Sequence, residues 1–349
     1  LLSKENQMIS VLIISPWLGI KDRGAETFAK ELSEVLANDF NVTLISGGST
    51  PLNTVQEHIV CDDFNPSNLV KLSEAIYFYL AGASKNKWSG FFFNFIRRVW
   101  DRIYYIHPEV MYQKEFMLKL DMKLKHQKWD VIYPQNGIYG VKWALKQRAL
   151  GFTSKVIYTG HGGIGNSEAL ILNTSIDKYI AISEKAHLWA KNINMNTVHI
   201  YNGVNIDMFD GVNLNKKKND IINVVTVGAL TDFKRHELTI NALEFIPNGY
   251  LTIIGDGELK LQLTQLAEKL IPGRYSIKKI KYTEMANIYS DADVFVLPSL
   301  NEPMGIVYIE ALVSGLKVVA PKDDVRTEIL QTFGFYTDVT NAKLYADKI

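Results

Sequence analysis

Short apolar runs recur along this chain, and each is followed by a stretch whose apolar positions fall three and four residues apart. Residues 9–15 form such a run, ending at Pro16, as a strand buried on both faces would. Residues 24–36 follow, with Phe28, Leu32, Val35 and Leu36 at helical spacing, and residues 41–45 read as the next strand. Further strands are expected at 131–133, 155–158, 179–182 and 199–201, with helices near 138–149 and 184–192. The polar, aperiodic stretch 211–220 reads as a linker. The alternation then restarts. Strands are expected at 222–227, 250–254, 294–297 and 317–320, and helices at 236–245, 258–270 and 306–314. Strands alternating with helices of about ten residues imply parallel sheets covered by helices on both faces.

Length agrees with two such units, since 349 residues exceed one ordinary domain. The expected division is 8–210, a linker at 211–220, and 221–349, with residues 1–7 read as a leftover tag or linker. Two α/β units in tandem place a cleft at the carboxyl ends of their strands, where ligands bind. A hydrophobic content of 47% and a charged content of 21% give ample material for two cores. The net charge of +1 makes no case for nucleic acid. Cys61 is the only cysteine, so an intramolecular disulfide is excluded and a reducing, cytoplasmic setting is expected. No apolar run reaches the roughly 18 residues of a spanning helix.

The chemistry concentrates near residues 298–311. Glu302 and Glu310 flank Gly305 just after an apolar strand, with a helical segment following. Backbone N–H groups of Met304, Gly305 and Ile306 at that helix mouth suit a diphosphate, and the two acids suit sugar hydroxyls. As two plain helix-flanking acids they would leave Glu310 inside an apolar helix, where a carboxylate needs a partner.

The ordered motifs resemble a family 4 retaining glycosyltransferase of the GT-B fold, two Rossmann-like domains with parallel sheets facing a central cleft. They run from Gly24-Ala25-Glu26 through Thr159-Gly160-His161 and Tyr201-Asn202-Gly203-Val204-Asn205 to Val227-Gly228-Ala229-Leu230 with Lys234. Ile254-Gly255-Asp256-Gly257, residues 292–299 and the Glu302–Glu310 pair complete the order. The resemblance implies a retaining, metal-independent transfer of sugar from a UDP- or GDP-sugar to a hydroxyl of a glycan, a lipid-linked sugar or a small molecule. It implies catalytic roles for Glu302, His161 and Lys234. It implies donor binding by Gly24, Gly228, Lys234, Arg235, Asn202, Met304, Gly305, Ile306 and Glu310. The nucleotide-sugar is a substrate, so no cofactor and no metal are expected.

Two positions depart from the family pattern. Arg23 stands where a second glycine is usual, and Ala229 where an arginine is usual; Arg235 is the candidate substitute for that cation. Gly24 also fits a plain strand-to-helix turn, and Lys234 with Arg235 also fits a solvated pair at a helix start, where cations are mildly unfavourable. A lone histidine is more often structural, but glycines on both sides of His161 point to backbone crowded against a ligand. The formal Asp-x-Asp of Asp291 and Asp293 precedes a strand and reads as strand-end structure rather than a metal site. The loop 277–284 is expected to touch the base. The segment from Phe91 to Tyr105 sets a basic face of Arg97, Arg98 and Arg102 against aromatics. It fits an interfacial helix lying on the inner face of a membrane, or a helix lining the acceptor side of the first domain. Two rival functions remain: a nucleotide-sugar epimerase on the same fold, and a weakly active regulatory or binding subunit. Relatives usually continue past residue 349 with helices, so the closing C-terminal helix is expected to be short or missing.

Overall fold

The computed structural model describes residues 8–21, 24–52, 54–61, 66–68, 70–73, 108–124, 127–135, 137–193, 195–209 and 220–349. Residues 1–7, Arg23, the aromatic segment from Phe91 to Tyr105 and nearly all of the expected linker lie outside them.

The N-terminal unit is built on a parallel seven-stranded sheet of order β3-β2-β1-β4-β5-β6-β7. Its strands are β1 (Ser10–Ser15), β2 (Asn41–Ser46), β3 (Glu57–Val60), β4 (Trp129–Pro134), β5 (Thr153–Gly160), β6 (Lys178–Ala181) and β7 (Thr197–His199). Among the described residues its helices with both ends placed are α1 (Gly24–Leu36), α2 (Pro108–Lys123), α3 (Ile138–Ala149), α4 (Asn166–Leu172) and α5 (Glu184–Asn192). Strand periodicity divides β1 between two cores. Leu12 and Ile14 join Phe116, Ile132 and Val141 on one face, while Val11 and Ile13 join Val42, Leu44 and Tyr133 on the other. A strand buried on both faces needs no polar alternation, which is why β1 reads as a continuous apolar run.

The C-terminal unit repeats the plan with six parallel strands of order β10-β9-β8-β11-β12-β13. These are β8 (Ile222–Val227), β9 (Gly249–Ile254), β10 (Tyr275–Lys278), β11 (Val294–Val296), β12 (Lys317–Pro321) and β13 (Gly334–Thr337). The helices are α6 (His236–Leu243), α7 (Lys260–Leu270), α8 (Met285–Asp291), α9 (Ile306–Val313), α10 (Asp324–Leu330) and α11 (Ala342–Lys348). Val224, Val294 and Val296 face one core, and Val225, Phe295 and Leu297 face the other. In each sheet the strand order reverses direction, at β1/β4 and at β8/β11, and the carboxyl edge beside that reversal is where ligands bind.

Several boundaries differ from the expected ones. The seventh strand is Thr197–His199 rather than 199–201, because residues from Tyr201 onward pack with the C-terminal unit. Residues from Tyr201 onward, together with Ser183–Lys185, group with the C-terminal unit, so the chain passes into that unit at Tyr201, earlier than residue 210. Phe209 accounts for the difference, being buried against Tyr289 in the C-terminal core. α6 ends at Leu243, ahead of Pro247, and α7 starts at Lys260 because the preceding residues turn back onto Leu230, whose carbonyl accepts from the Leu259 N–H at 3.0 Å. Among the described residues no helix is long and apolar enough to cross a membrane.

Candidate functional site

In the C-terminal unit the site grows from the end of β11. The chain leaves the strand through Pro298 and turns at Asn301, which takes a left-handed φ of 51°. It enters α9 through Gly305 at φ 81°. A Cβ on Gly305 would lie 2.6 Å from the Tyr308 ring and 3.0 Å from Glu302, so both space and backbone require glycine there. The Tyr308 hydroxyl donates to the Leu297 carbonyl at 2.6 Å and fixes the helix start to the strand end. No side chain caps α9. The N–H groups of Ile306 and Val307 make no hydrogen bond to a described residue. An uncapped first turn beside a buried strand end is a ready anion site.

Glu302 and Lys234 meet at this turn. Lys234 Nζ donates to Glu302 Oε2 at 2.5 Å, and the Ser299 hydroxyl donates to the same oxygen at 2.7 Å. The Glu302 side chain is 11% exposed, and its Oε1 accepts from no described residue. Burial pushes the Glu302 carboxyl up. The charge and hydrogen bond of Lys234, the Ser299 hydroxyl and the charge of Arg326 outweigh it, and the group stays below its ordinary value. The Lys234 stem crosses Gly228, whose absent Cβ would lie 3.3–3.4 Å from it. Gly228 is therefore the floor under the lysine. Arg235, at φ 50°, donates from Nε to the Pro298 carbonyl at 2.7 Å. Of the three non-glycine residues with positive φ among those described, Arg235 and Asn301 both border this pair.

Glu310 lies farther along α9 and is buried. Its two oxygens accept from Tyr282 at 3.0 Å and Tyr289 at 2.8 Å, and burial raises its carboxyl above the ordinary value in spite of both bonds. The partner that a carboxylate in an apolar helix needs is thus a pair of tyrosines. Tyr282 comes from the 277–284 loop. Asn202 is buried, and its N–H donates to Met304 Sδ at 3.3 Å, placing the Asn202 turn against the start of α9. Asp293 sits at the opposite, amino edge of the sheet. There its carboxylate accepts from the Asn223 N–H at 2.8 Å, which is strand-end structure.

In the N-terminal unit Gly24 begins α1, and a Cβ there would meet nothing within 4 Å. Phe28, one turn on, packs edge-on against His161 with ring centroids 4.7 Å apart. His161 Nε2 lies 3.0 Å from Gln135 Oε1, as the amide is placed, at the carboxyl end of β4. Burial pushes His161 down to about 4, so the ring is neutral near pH 7 and offers hydrogen bonds rather than charge.

The His161 loop is clamped from below. Glu168 is buried, and its carboxyl accepts from the Gly162 N–H at 3.0 Å and the Tyr179 hydroxyl at 3.2 Å. Gly160 has no Cβ because one would collide with the Tyr179 hydroxyl, and a Cβ on Gly162 would press on Glu168 at 2.8 Å. Burial raises Glu168 to about 7 against these two bonds. A carboxyl whose folded value is raised holds its proton more tightly in the native state. Native stability is therefore full below the ordinary value of 4.5 and declines as pH rises to about 7. The decline amounts to about 3 kcal/mol at most. Glu168→Gln should remove it: the variant should match wild type in melting temperature at pH 4 and exceed it at pH 8. A variant that melts lower at both values would show an ionised, firmly bonded Glu168 instead.

The structure thus gathers Gly228, Lys234, Arg235, Asn202, Glu302, Met304, Gly305, Ile306 and Glu310 around one end of α9, and Gly24 and His161 around α1. Arg326, Tyr289, Gln135 and Glu168 escape the sequence reading, as do the hydrogen bonds of Ser299 and Tyr282 to the two acids. The glycines around His161 were a signal for Glu168 and Tyr179. Nothing local signals Arg326, which reaches the 299–302 turn from a separate helix.

Residues 207–349 match the family described as glycosyl transferases group 1. The sulfoquinovosyl transferase SQD2 of Arabidopsis thaliana is 36% identical over 101 residues, 28% of this chain and 19% of that protein. The alpha-monoglucosyldiacylglycerol synthase of Acholeplasma laidlawii is 36% identical over 81 residues, 23% of this chain and 20% of that protein. The chain thus spans about a fifth of the length of these two relatives. Among solved structures, HepE of Anabaena in complex with UDP and glucose superposes with a TM-score of 0.66 at 16% identity, over 97% of this chain and 88% of that one. Sucrose-phosphate synthase of Thermosynechococcus elongatus gives 0.70 at 17% identity, over the same shares. The fold is the GT-B pair of Rossmann-like units, and the C-terminal unit is similar to the family described as glycosyl transferases group 1.

Proposed function

We propose that the protein is a retaining, metal-independent glycosyltransferase that moves a sugar from a UDP- or GDP-sugar to a hydroxyl of a glycan or lipid-linked acceptor. The observation that carries this reading is the Lys234–Glu302 pair at the uncapped first turn of α9. In that reading the diphosphate lies on the Ile306 and Val307 N–H groups, and Lys234 takes up the charge that develops as it leaves. Glu302 offers its free Oε1 to a sugar hydroxyl. Glu310, steadied by Tyr282 and Tyr289, receives the ribose. Neutral His161 hydrogen-bonds the sugar. The departing phosphate accepts the acceptor's proton on the same ring face, which preserves the anomeric configuration. A lysine and oriented N–H groups supply the positive charge that a divalent ion would otherwise bring. HepE carries UDP and glucose in its complex, and the Acholeplasma laidlawii relative is named for a glucosyldiacylglycerol, which supports a nucleotide-sugar donor and a lipid-linked acceptor here. Phe233 and Leu300, 68% and 47% exposed, adjoin Lys234 and Glu302 and favour an acceptor with an apolar part.

A thermal-shift panel of UDP-, GDP- and ADP-sugars, with and without EDTA, tests the proposal. One nucleotide-sugar is expected to stabilise the protein, by about 2.7 kcal/mol at a hundred times its Kd, with EDTA making no difference. The absence of any shift sinks the donor assignment, and turnover abolished by EDTA sinks metal independence. Product analysis with donor alone separates transfer from epimerisation, since an epimerase converts the donor with no acceptor present.

A further inference from the structure

We infer that Arg326 is a positioning residue for Glu302, holding the turn from Ser299 to Glu302 in the one shape that keeps the carboxylate on Lys234. This rests on the glycosyltransferase reading above.

Arg326 is 2% exposed, an unusual place for a guanidinium. One arm, Nη1, donates to the Glu302 carbonyl at 3.1 Å. The other, Nη2, donates to the Ser299 carbonyl at 3.0 Å. The side chain thus ties together the two ends of a four-residue turn whose third member, Asn301, is in the left-handed region. The turn's interior is bound at the same points from within, because the Ser299 hydroxyl donates to Glu302 Oε2. Asp323 braces the arginine through a 2.5 Å contact to Nη2, and its carboxylate also caps α10 by accepting from the Arg326 N–H at 3.1 Å. α10 is thereby locked to the loop that carries Glu302.

Charge points the same way. Arg326 touches backbone oxygens of the turn rather than the Glu302 carboxylate, so it acts through the loop and the local field and leaves Oε1 accessible to substrate. A planar fork can bridge two carbonyls; an ammonium keeps the charge but bridges them poorly. Lysine in its place should therefore preserve the field and lose the geometry, and methionine should lose both.

The experiment compares wild type, Arg326→Lys and Arg326→Met in UDP-glucose and GDP-mannose turnover, UDP and GDP affinity by calorimetry, and amide exchange across residues 299–303. Both variants are expected to keep diphosphate affinity and to lose kcat, about 100-fold for a displacement of about 1 Å. Amide exchange in the turn should quicken in both. The acidic limb of kcat should rise in Arg326→Met alone, because only that variant removes the positive charge near Glu302. Folded variants with wild-type kcat and exchange would overturn the inference, as would a fall in kcat that the loss of folded protein fully accounts for. Wild type that neither binds nor turns over either nucleotide-sugar sinks the glycosyltransferase reading instead.

Discussion

Lys234→Ala is expected to lower kcat for sugar transfer by about 100- to 1000-fold while the protein still folds. Lys234 is the cation whose Nζ reaches the turn where α9 presents its unbonded N–H groups. In the proposed reaction a diphosphate leaves with its charge growing, and a fixed cation in a partly dry site lowers that barrier more than it lowers the energy of bound donor. The loss should therefore fall on kcat more than on KM. A second consequence separates this from a general weakening. Glu302 is nearly buried, and Lys234 is the strongest influence drawing its carboxyl down against burial. Removing the lysine leaves an unpaired carboxylate, at a cost of about 3–5 kcal/mol for a fully buried pair and less for one as partly exposed as this. The variant's Glu302 should titrate higher. Wild-type Glu302, with its depressed value, contributes stability above its unfolded value, and that contribution is lost only as pH falls through the folded one. In Lys234→Ala the acidic loss of stability and activity should begin at a higher pH. Melting curves and kcat profiles between pH 3 and 7 check both. A variant with near-normal kcat contradicts the role given to Lys234.

How much of this was legible before the structure depended on the range of each contact. β1 and β11 announce themselves because burial on both faces makes their interiors continuous apolar runs, and β8 through its valines. The edge strands β3, β10 and β13 are only partly buried and carry polar residues, so no run marks them. α2 hides its stripe because Leu118 and Met122, 61% and 65% exposed, add apolar residues to its outer side. The site follows the same rule. Glu302, Gly305 and Glu310 sit within one turn-and-helix unit, and the glycine spacing exposes them. The demand that buried Glu310 have a partner could be stated from sequence, but its identity could not, since Tyr282 and Tyr289 lie 28 and 21 residues away. Arg326 was invisible for that reason: its hydrogen bonds reach back 24 and 27 residues, and an arginine in a short helix looks like a surface residue. Local conformation misled once. The turn at Tyr201-Asn202 reads as the end of the first half, whereas Tyr201 bonds Glu328 at 2.8 Å and Asn202 covers Met304.

Glu302→Gln is expected to cut kcat by about 100-fold or more while leaving diphosphate affinity nearly intact. The amide matches the carboxylate in shape and can still accept from Ser299 and Lys234, so packing at the turn survives. What is lost is the negative charge beside the sugar, which in the proposed mechanism strengthens a hydroxyl's hydrogen bond as positive charge builds on the ring. A group that acts on that developing charge matters little to the ground state, so UDP or GDP binding should be spared. The lysine sharpens the contrast. Lys234 keeps a hydrogen bond to the amide but no longer faces a neutralising carboxylate, so affinity for UDP or GDP should hold or improve while turnover collapses. Calorimetry with the free diphosphate and single-turnover transfer with the sugar donor measure the two arms separately. Combining Glu302→Gln with Lys234→Ala should cost less than the product of the single losses, because the two side chains act as one hydrogen-bonded unit. Fully multiplicative losses would show that the pair seen in the structure is not the unit that works during transfer. Equal loss of affinity and kcat in Glu302→Gln would move the glutamate from the reacting sugar to the diphosphate.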